Sequence, residues 1–137
     1  MKPITQEWIE KAESDFAVAQ LLLAQLQPKH DIVCFHAQQC VEKYLKACLQ
    51  EANIFFPKTH ELPTLLDLLL PIQPEWESLR RSVDSLTAYA VEFRYPGAHA
   101  TSELSTNALK DCTDVRETIR EYLQLSEIDS KRDGEEE

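Results

Sequence analysis

Arg94 and His99, with four residues between them, lie in the stretch Val91-Glu92-Phe93-Arg94-Tyr95-Pro96-Gly97-Ala98-His99. Arginine keeps its charge at any useful pH and grips phosphate with a planar fork of donors. Histidine is the side chain best suited to moving protons near neutrality. Together the two suit a reaction at a phosphate group, where the guanidinium steadies negative charge and the imidazole takes or gives a proton. The same spacing also fits a blander arrangement, an arginine bonding the last carbonyls of a helix and a histidine capping the loop beyond. Pro96 and Gly97, one of two glycines in the chain, keep a plain helix from running through the stretch. The remaining elements are therefore read as a scaffold that presents this pair.

That scaffold reads as helices. Thr5 is placed as an N-cap with Glu7 in the first turn. Trp8, Ala12, Phe16, Ala19, Leu23 and Leu26 recur at steps of four and three, one apolar stripe that Pro28 stops. Asp31 is placed to cap a second helix with the apolar line Cys34, Ala37, Val41, Leu45, Cys48 and Ala52. Its opposite face carries Gln38, Glu42, Lys43 and Lys46. A short helix starts near Glu61, with Pro63 in its first turn, and ends before Pro71. Pro74 opens a third long helix along Trp76, Leu79, Val83, Leu86, Ala90 and Phe93. Thr101 or Ser102 caps a last helix that buries Leu104, Ala108, Cys112, Val115, Ile119 and Tyr122. The expected fold is all-α, an antiparallel four-helix bundle over residues 1–126 with one additional short helix. Residues 127–137 are expected to form an acidic disordered tail.

Charge narrows the functional classes. The net charge is −10. The segment 127–137 holds six acids and two bases, a net of −4, which leaves −6 for residues 1–126. Such a domain repels free nucleic acid unless its bases cluster locally, which counts against a general nucleic-acid or DNA binder. The apolar run 65–70 is far too short to cross a bilayer, and no signal peptide is visible. Cys34, Cys40, Cys48 and Cys112 fall inside helical patterns, so reduced, buried thiols and a cytoplasmic location are expected.

Other residues compete for attention beside the pair. Lys43 and Lys46, joined by Arg80 and Arg81, form a candidate phosphate-binding rim, or else a solvated face with Glu42 and Glu51 as counter-charges. Glu92 is placed either to orient a nearby imidazole or, like Asp84, as a surface acid. His30, Cys34, His36 and Cys40 suggest a metal site, but positions 34 and 36 of a helix point roughly 200° apart, so no metal is expected. Thr59 and His60 are read as capping and pinning the short helix, and Trp8 and Trp76 as packing residues.

Three strings carry a resemblance. Phe35-His36-Ala37-Gln38-Gln39-Cys40-Val41-Glu42-Lys43-Tyr44-Leu45-Lys46-Ala47, Lys58-Thr59-His60-Glu61-Leu62 and Arg94-Tyr95-Pro96 occur in that order. Together they resemble the HEPN family, the "higher eukaryotes and prokaryotes nucleotide-binding" domain, over about residues 5–125. The resemblance implies a homodimer of helical bundles, in prokaryotes commonly encoded beside a minimal nucleotidyltransferase as a toxin and antitoxin pair. It also implies that active members are metal-independent ribonucleases using an arginine and a histidine four to six residues apart. Two copies of that motif face each other across the dimer. Arg94 and His99 match that spacing, with Lys43, Lys46 and Tyr95 as candidate substrate-binding residues and no cofactor. Some such toxins carry, two residues past the histidine, a tyrosine that the partner modifies with adenylate; this chain has Thr101 there. The expected reaction spares DNA, because the nucleophile is the ribose 2′-hydroxyl. The competing expectation is a non-catalytic nucleotide-binding or scaffolding subunit partnering a nucleotidyltransferase.

Overall fold

The chain folds as α1 (Pro3–Leu23), α2 (His30–Glu51), α3 (Leu62–Leu69), a 3-10 helix (Pro74–Leu79) that runs into α4 (Arg80–Glu92), and α5 (Ser102–Tyr122). These come from a computed structural model that describes residues 1–125. No strand occurs among the described residues, and the all-α expectation holds. The tail expected over 127–137 lies outside the described residues.

α2 packs against α1, α3, α4 and α5. Val41, Tyr44, Leu45 and Leu49 are accordingly sealed from solvent on it. α3 is too short to hold itself as a helix. Its Leu62, Leu65, Leu66 and Leu69 are all fully buried, each contributing on the order of 2 kcal/mol by leaving water. α5 adds Ala108, Cys112, Val115 and Ile119, also fully buried. Where α1, α2 and α5 meet, Glu13 accepts hydrogen bonds from Arg116 Nε at 2.7 Å and from Tyr44 Oη at 2.5 Å. Arg120 Nη1 donates to the same tyrosine oxygen at 3.1 Å.

Local details differ from the sequence reading. α1 starts at Pro3, two residues before the expected cap, because proline suits a first helical position where its missing N–H is not needed. Thr5 is instead fully buried and donates to Glu51 Oε1 at 2.9 Å, tying the start of α1 to the end of α2. α1 stops at Leu23, so Leu26 lies outside it and stands in solvent rather than on the stripe. The third long helix begins as a 3-10 turn, yet Trp76 and Leu79 still reach the core. Thr101 caps α5 as expected, its Oγ1 accepting from Leu104 N at 3.1 Å.

Candidate functional site

α4 ends at Glu92, and the chain turns at residues 95–98 through a hydrogen bond from Ala98 N to Tyr95 O of 3.3 Å. Gly97 at the third position, with φ of +91°, supplies what a type II turn requires, and proline is favoured at its second position. Arg94 stands immediately before this turn and His99 immediately after it. Both side chains are exposed.

His99 is held from the other side by α2. Its Nδ1 lies 3.3 Å from Asp31 Oδ2, and the backbone N–H of Ala100 donates to Asp31 Oδ1 at 2.5 Å. A carboxylate only accepts, so a neutral imidazole bonded to it carries its proton on Nδ1 and keeps the Nε2 lone pair free. With 78% of its side chain exposed, that free edge is open to a substrate. Asp31 sits in the first turn of α2 rather than at its cap, which is Lys29. The orienting acid is thus Asp31, not Glu92.

Three depressions follow one another along a trough, the first and second sharing Asp31 and the second and third sharing Ala90 and Arg94. The first, about 400 Å³, is lined by Lys29, His30, Asp31, Ile32, His99 and Ala100. Asp31 and Arg94 both line the second, of about 140 Å³, with Phe35, Tyr89 and Phe93 among its walls. Arg94 also lines the third, of about 350 Å³, together with Gln38, Lys58 and His60. α2 lends one face to all three, since Asp31, Phe35 and Gln38 recur on it at steps of four and three, and Glu42 follows four residues on, buried below the lining.

That face corrects an expectation. Gln38, Glu42 and Lys46 are buried, not solvated: His60, in the segment before α3, bonds Gln38 and Glu42, and the Trp8 ring of α1 lies against Lys46. Glu42 accepts from Lys46 Nζ at 3.0 Å and pairs with His60 Nδ1 at 2.9 Å. Lys46 also lies 5.6 Å from the centroid of the Trp8 ring, and only 9% of its side chain is exposed. It is no surface cation. Lys43 is bonded to Asp15 at 2.5 Å beside His36, so its charge already has a counter-ion. Arg80 is bonded to Asp67 and Glu77, and Arg81 lies 3.6 Å from Asp111. Tyr95 is exposed on the turn itself. Thr59 does not cap α3, whose N-cap is Glu61 with no side-chain cap; its Oγ1 accepts from Glu61 N at 3.1 Å in the turn before the helix, while His60 bonds its ring to Glu42 and lines the trough.

The four residues considered as metal ligands go separate ways. His30 Nδ1 meets Ser105 Oγ at 2.6 Å, His36 meets Asp15, and Cys34 and Cys40 are buried. Burial, then the nearby Asp31 charge, pushes the Cys34 thiol up to about 11, so it is no nucleophile at neutral pH.

The HEPN domain family matches residues 5–122 of the chain. The chain belongs to that family. A Methanocaldococcus jannaschii protein named "Putative toxin MJ1304" is 29% identical, over 85% of this chain and 86% of that protein. The crystal structure of TT1696 from Thermus thermophilus superposes with a TM-score of 0.70 at 25% identity, covering 85% of this chain and 96% of that one. The HEPN domain thus takes in every element that builds the trough. Sequence reasoning missed Asp31 as the imidazole's partner and Glu42 as a buried anchor. The signal was present in the four-three-four spacing that puts both on one face of α2, with Phe35 and Gln38 between them.

Proposed function

We propose that this HEPN-domain protein is a metal-independent ribonuclease toxin, cutting RNA with Arg94 and His99 in the cleft of a homodimer. A minimal nucleotidyltransferase is its antitoxin. One observation carries the reading: Asp31 fixes the His99 imidazole through Nδ1 on the trough that Arg94 also lines. The Methanocaldococcus relative bears the name of a toxin, which supports the biological role. Ile32, Phe35 and Val91, apolar and exposed, line the same trough, and Tyr95 stands exposed beside Arg94. A second copy laid over that rim removes them from water and brings two pairs together.

In this mechanism Nε2 of one His99 takes the proton of the ribose 2′-hydroxyl as that oxygen attacks the phosphorus. The bond to the 5′-oxygen breaks, and the imidazolium of the other copy gives that oxygen its proton. Arg94 holds the charge that builds on the phosphoryl oxygens. The products are a 2′,3′-cyclic phosphate and a 5′-hydroxyl. Asp31 keeps the tautomer correct and steadies the imidazolium.

The test uses single-stranded RNA and DNA of one sequence, incubated with purified protein in excess chelator. RNA cut to cyclic-phosphate ends, DNA left whole, and a loss of roughly a hundredfold or more in His99→Ala and Arg94→Ala are expected. RNA left intact, or His99→Ala as active as the wild type, removes the nuclease reading. The role would then pass to a non-catalytic nucleotide-binding or scaffolding subunit of a nucleotidyltransferase.

A further inference from the structure

His60 repeats the geometry of His99 at the far end of the trough. Its Nδ1 is 2.9 Å from the carboxylate of Glu42, a residue that is 3% exposed. Its backbone carbonyl accepts from Gln38 Nε2 at 3.0 Å, so ring and backbone are both fixed to α2. The ring is 76% exposed, which leaves Nε2 for a ligand. A residue that served only to pin α3 would need no such outward edge.

The charges around it are disposed unusually for an acidic chain. Lys43, Lys46 and Arg80 are each bonded to an acid, and Arg81 is paired with Asp111. Lys58 and Arg94, which line the depression with His60, make no salt bridge among the described residues. Lys29, at the His99 end, is likewise exposed and makes none there. Glu61 lies on the rim as well, but the cations face the trough without counter-ions. The wall contributes Thr87, whose hydroxyl oxygen is buried with no hydrogen-bond partner, beside Ala90 and Val91. Two unpaired cations and an anchored imidazole around about 350 Å³ describe a place for a polar anion.

Distance decides what that anion is. Asp31 and Glu42, the acids that hold the two imidazoles, are eleven residues apart on α2, roughly 16 Å along its axis. His60 therefore cannot share the scissile phosphate with His99 of the same chain. We infer that Lys58, His60 and Arg94 form a separate subsite for a ribonucleotide phosphate. It is filled by a flanking phosphate of the RNA strand that lies along α2, or by a free mononucleotide. This rests on the proposed ribonuclease reading for the strand but not for the phosphate chemistry. Arg94, standing between the two depressions, joins the flanking subsite to the reacting one.

The experiment measures binding with no cleavage possible. The probes are a 2′-O-methyl hexanucleotide, the matching dinucleotide and a 5′-mononucleotide. Lys58→Gln and His60→Gln are each expected to weaken the hexanucleotide roughly tenfold. They should leave the dinucleotide within about twofold, and Lys58→Gln should lower the salt slope by about 0.7. Arg81→Gln, outside the trough, is the control and should bind as wild type. If the variants weaken the mononucleotide and not the hexanucleotide, the subsite stands and its occupant is the free nucleotide. Variants that bind all three probes like wild type overturn the inference, as does a wild type that binds none. Cleavage of the unmodified hexanucleotide is scored in parallel. Binding without cutting sinks the role of Arg94 and His99 as nuclease residues and leaves the subsite intact.

Discussion

One carboxylate, Asp31, holds both sides of the corner that presents His99: Oδ2 lies 3.3 Å from Nδ1 of the ring, and Oδ1 accepts the Ala100 N–H at 2.5 Å. Ring orientation and backbone position thus depend on the same group. In Asp31→Asn the amide oxygen can still accept from Ala100, but the ring loses its anion. RNA cleavage is expected to fall roughly tenfold to a hundredfold in kcat with KM little changed. Asp31→Ala should also lower the melting temperature. Equal kcat in wild type and Asp31→Asn would show that the pair does not orient a catalytic base.

Gly97 isolates backbone conformation from packing. Its φ is +91°, and a Cβ there would meet nothing within 4 Å. Gly97→Ala therefore costs only the strain of a left-handed residue, about 1–2 kcal/mol, with no clash. Thermal unfolding should show that loss. Cleavage should fall by more than the stability change explains, because the turn sets where Arg94 and His99 stand.

Glu13 gathers the ion network between α1, α2 and α5. Burial alone would raise its carboxyl, but the hydrogen bonds from Arg116 and Tyr44 and the arginine charges outweigh it and hold the pKa below the usual range. A depressed carboxylate contributes stability above its unfolded pKa, and that contribution is lost as pH falls through the folded one. Glu13→Gln is expected to cost roughly 3 kcal/mol at pH 7. The gap from wild type should close as the buffer is taken below about pH 4. A gap that stays constant across that range would contradict the assignment.

The thiols give a chemical test of the core. All four cysteines are buried and free, and burial pushes Cys48 up to about 12 and raises Cys40 as well, with Cys112 beside it. A disulfide reagent at about pH 8 should label the folded protein far more slowly than the protein in denaturant, where all four react. Rapid labelling of any one under native conditions would place that residue outside the core described.

Much of this was legible in the sequence, for physical reasons that vary by element. Apolar steps of three and four located the long helices, because burial of one face is what holds each of them, while prolines marked the ends of α3. Pro96 and Gly97 marked the turn because few conformations suit that pair. The face of Gln38, Glu42 and Lys46 was misread because polar residues normally face water, and nothing local reveals that His60 and Trp8 come to lie against them. Asp31 was legible as a helix-start residue but not as the partner of His99, 68 positions away, since such pairings exist only once the chain is packed. Leu26 shows the opposite error, a periodic residue left outside because α1 ends at Leu23.

α3 begins two residues after His60, and that histidine's carbonyl is clasped by Gln38 while its ring touches Glu42. Seating of the leucines under α2 and the posture of the imidazole are consequently two readings of one equilibrium. By reciprocity, whatever settles on His60 slows the opening of this eight-residue segment, and whatever loosens it weakens that hold. Amide exchange along α3 should therefore act as a gauge of occupancy, legible without any label on the ligand.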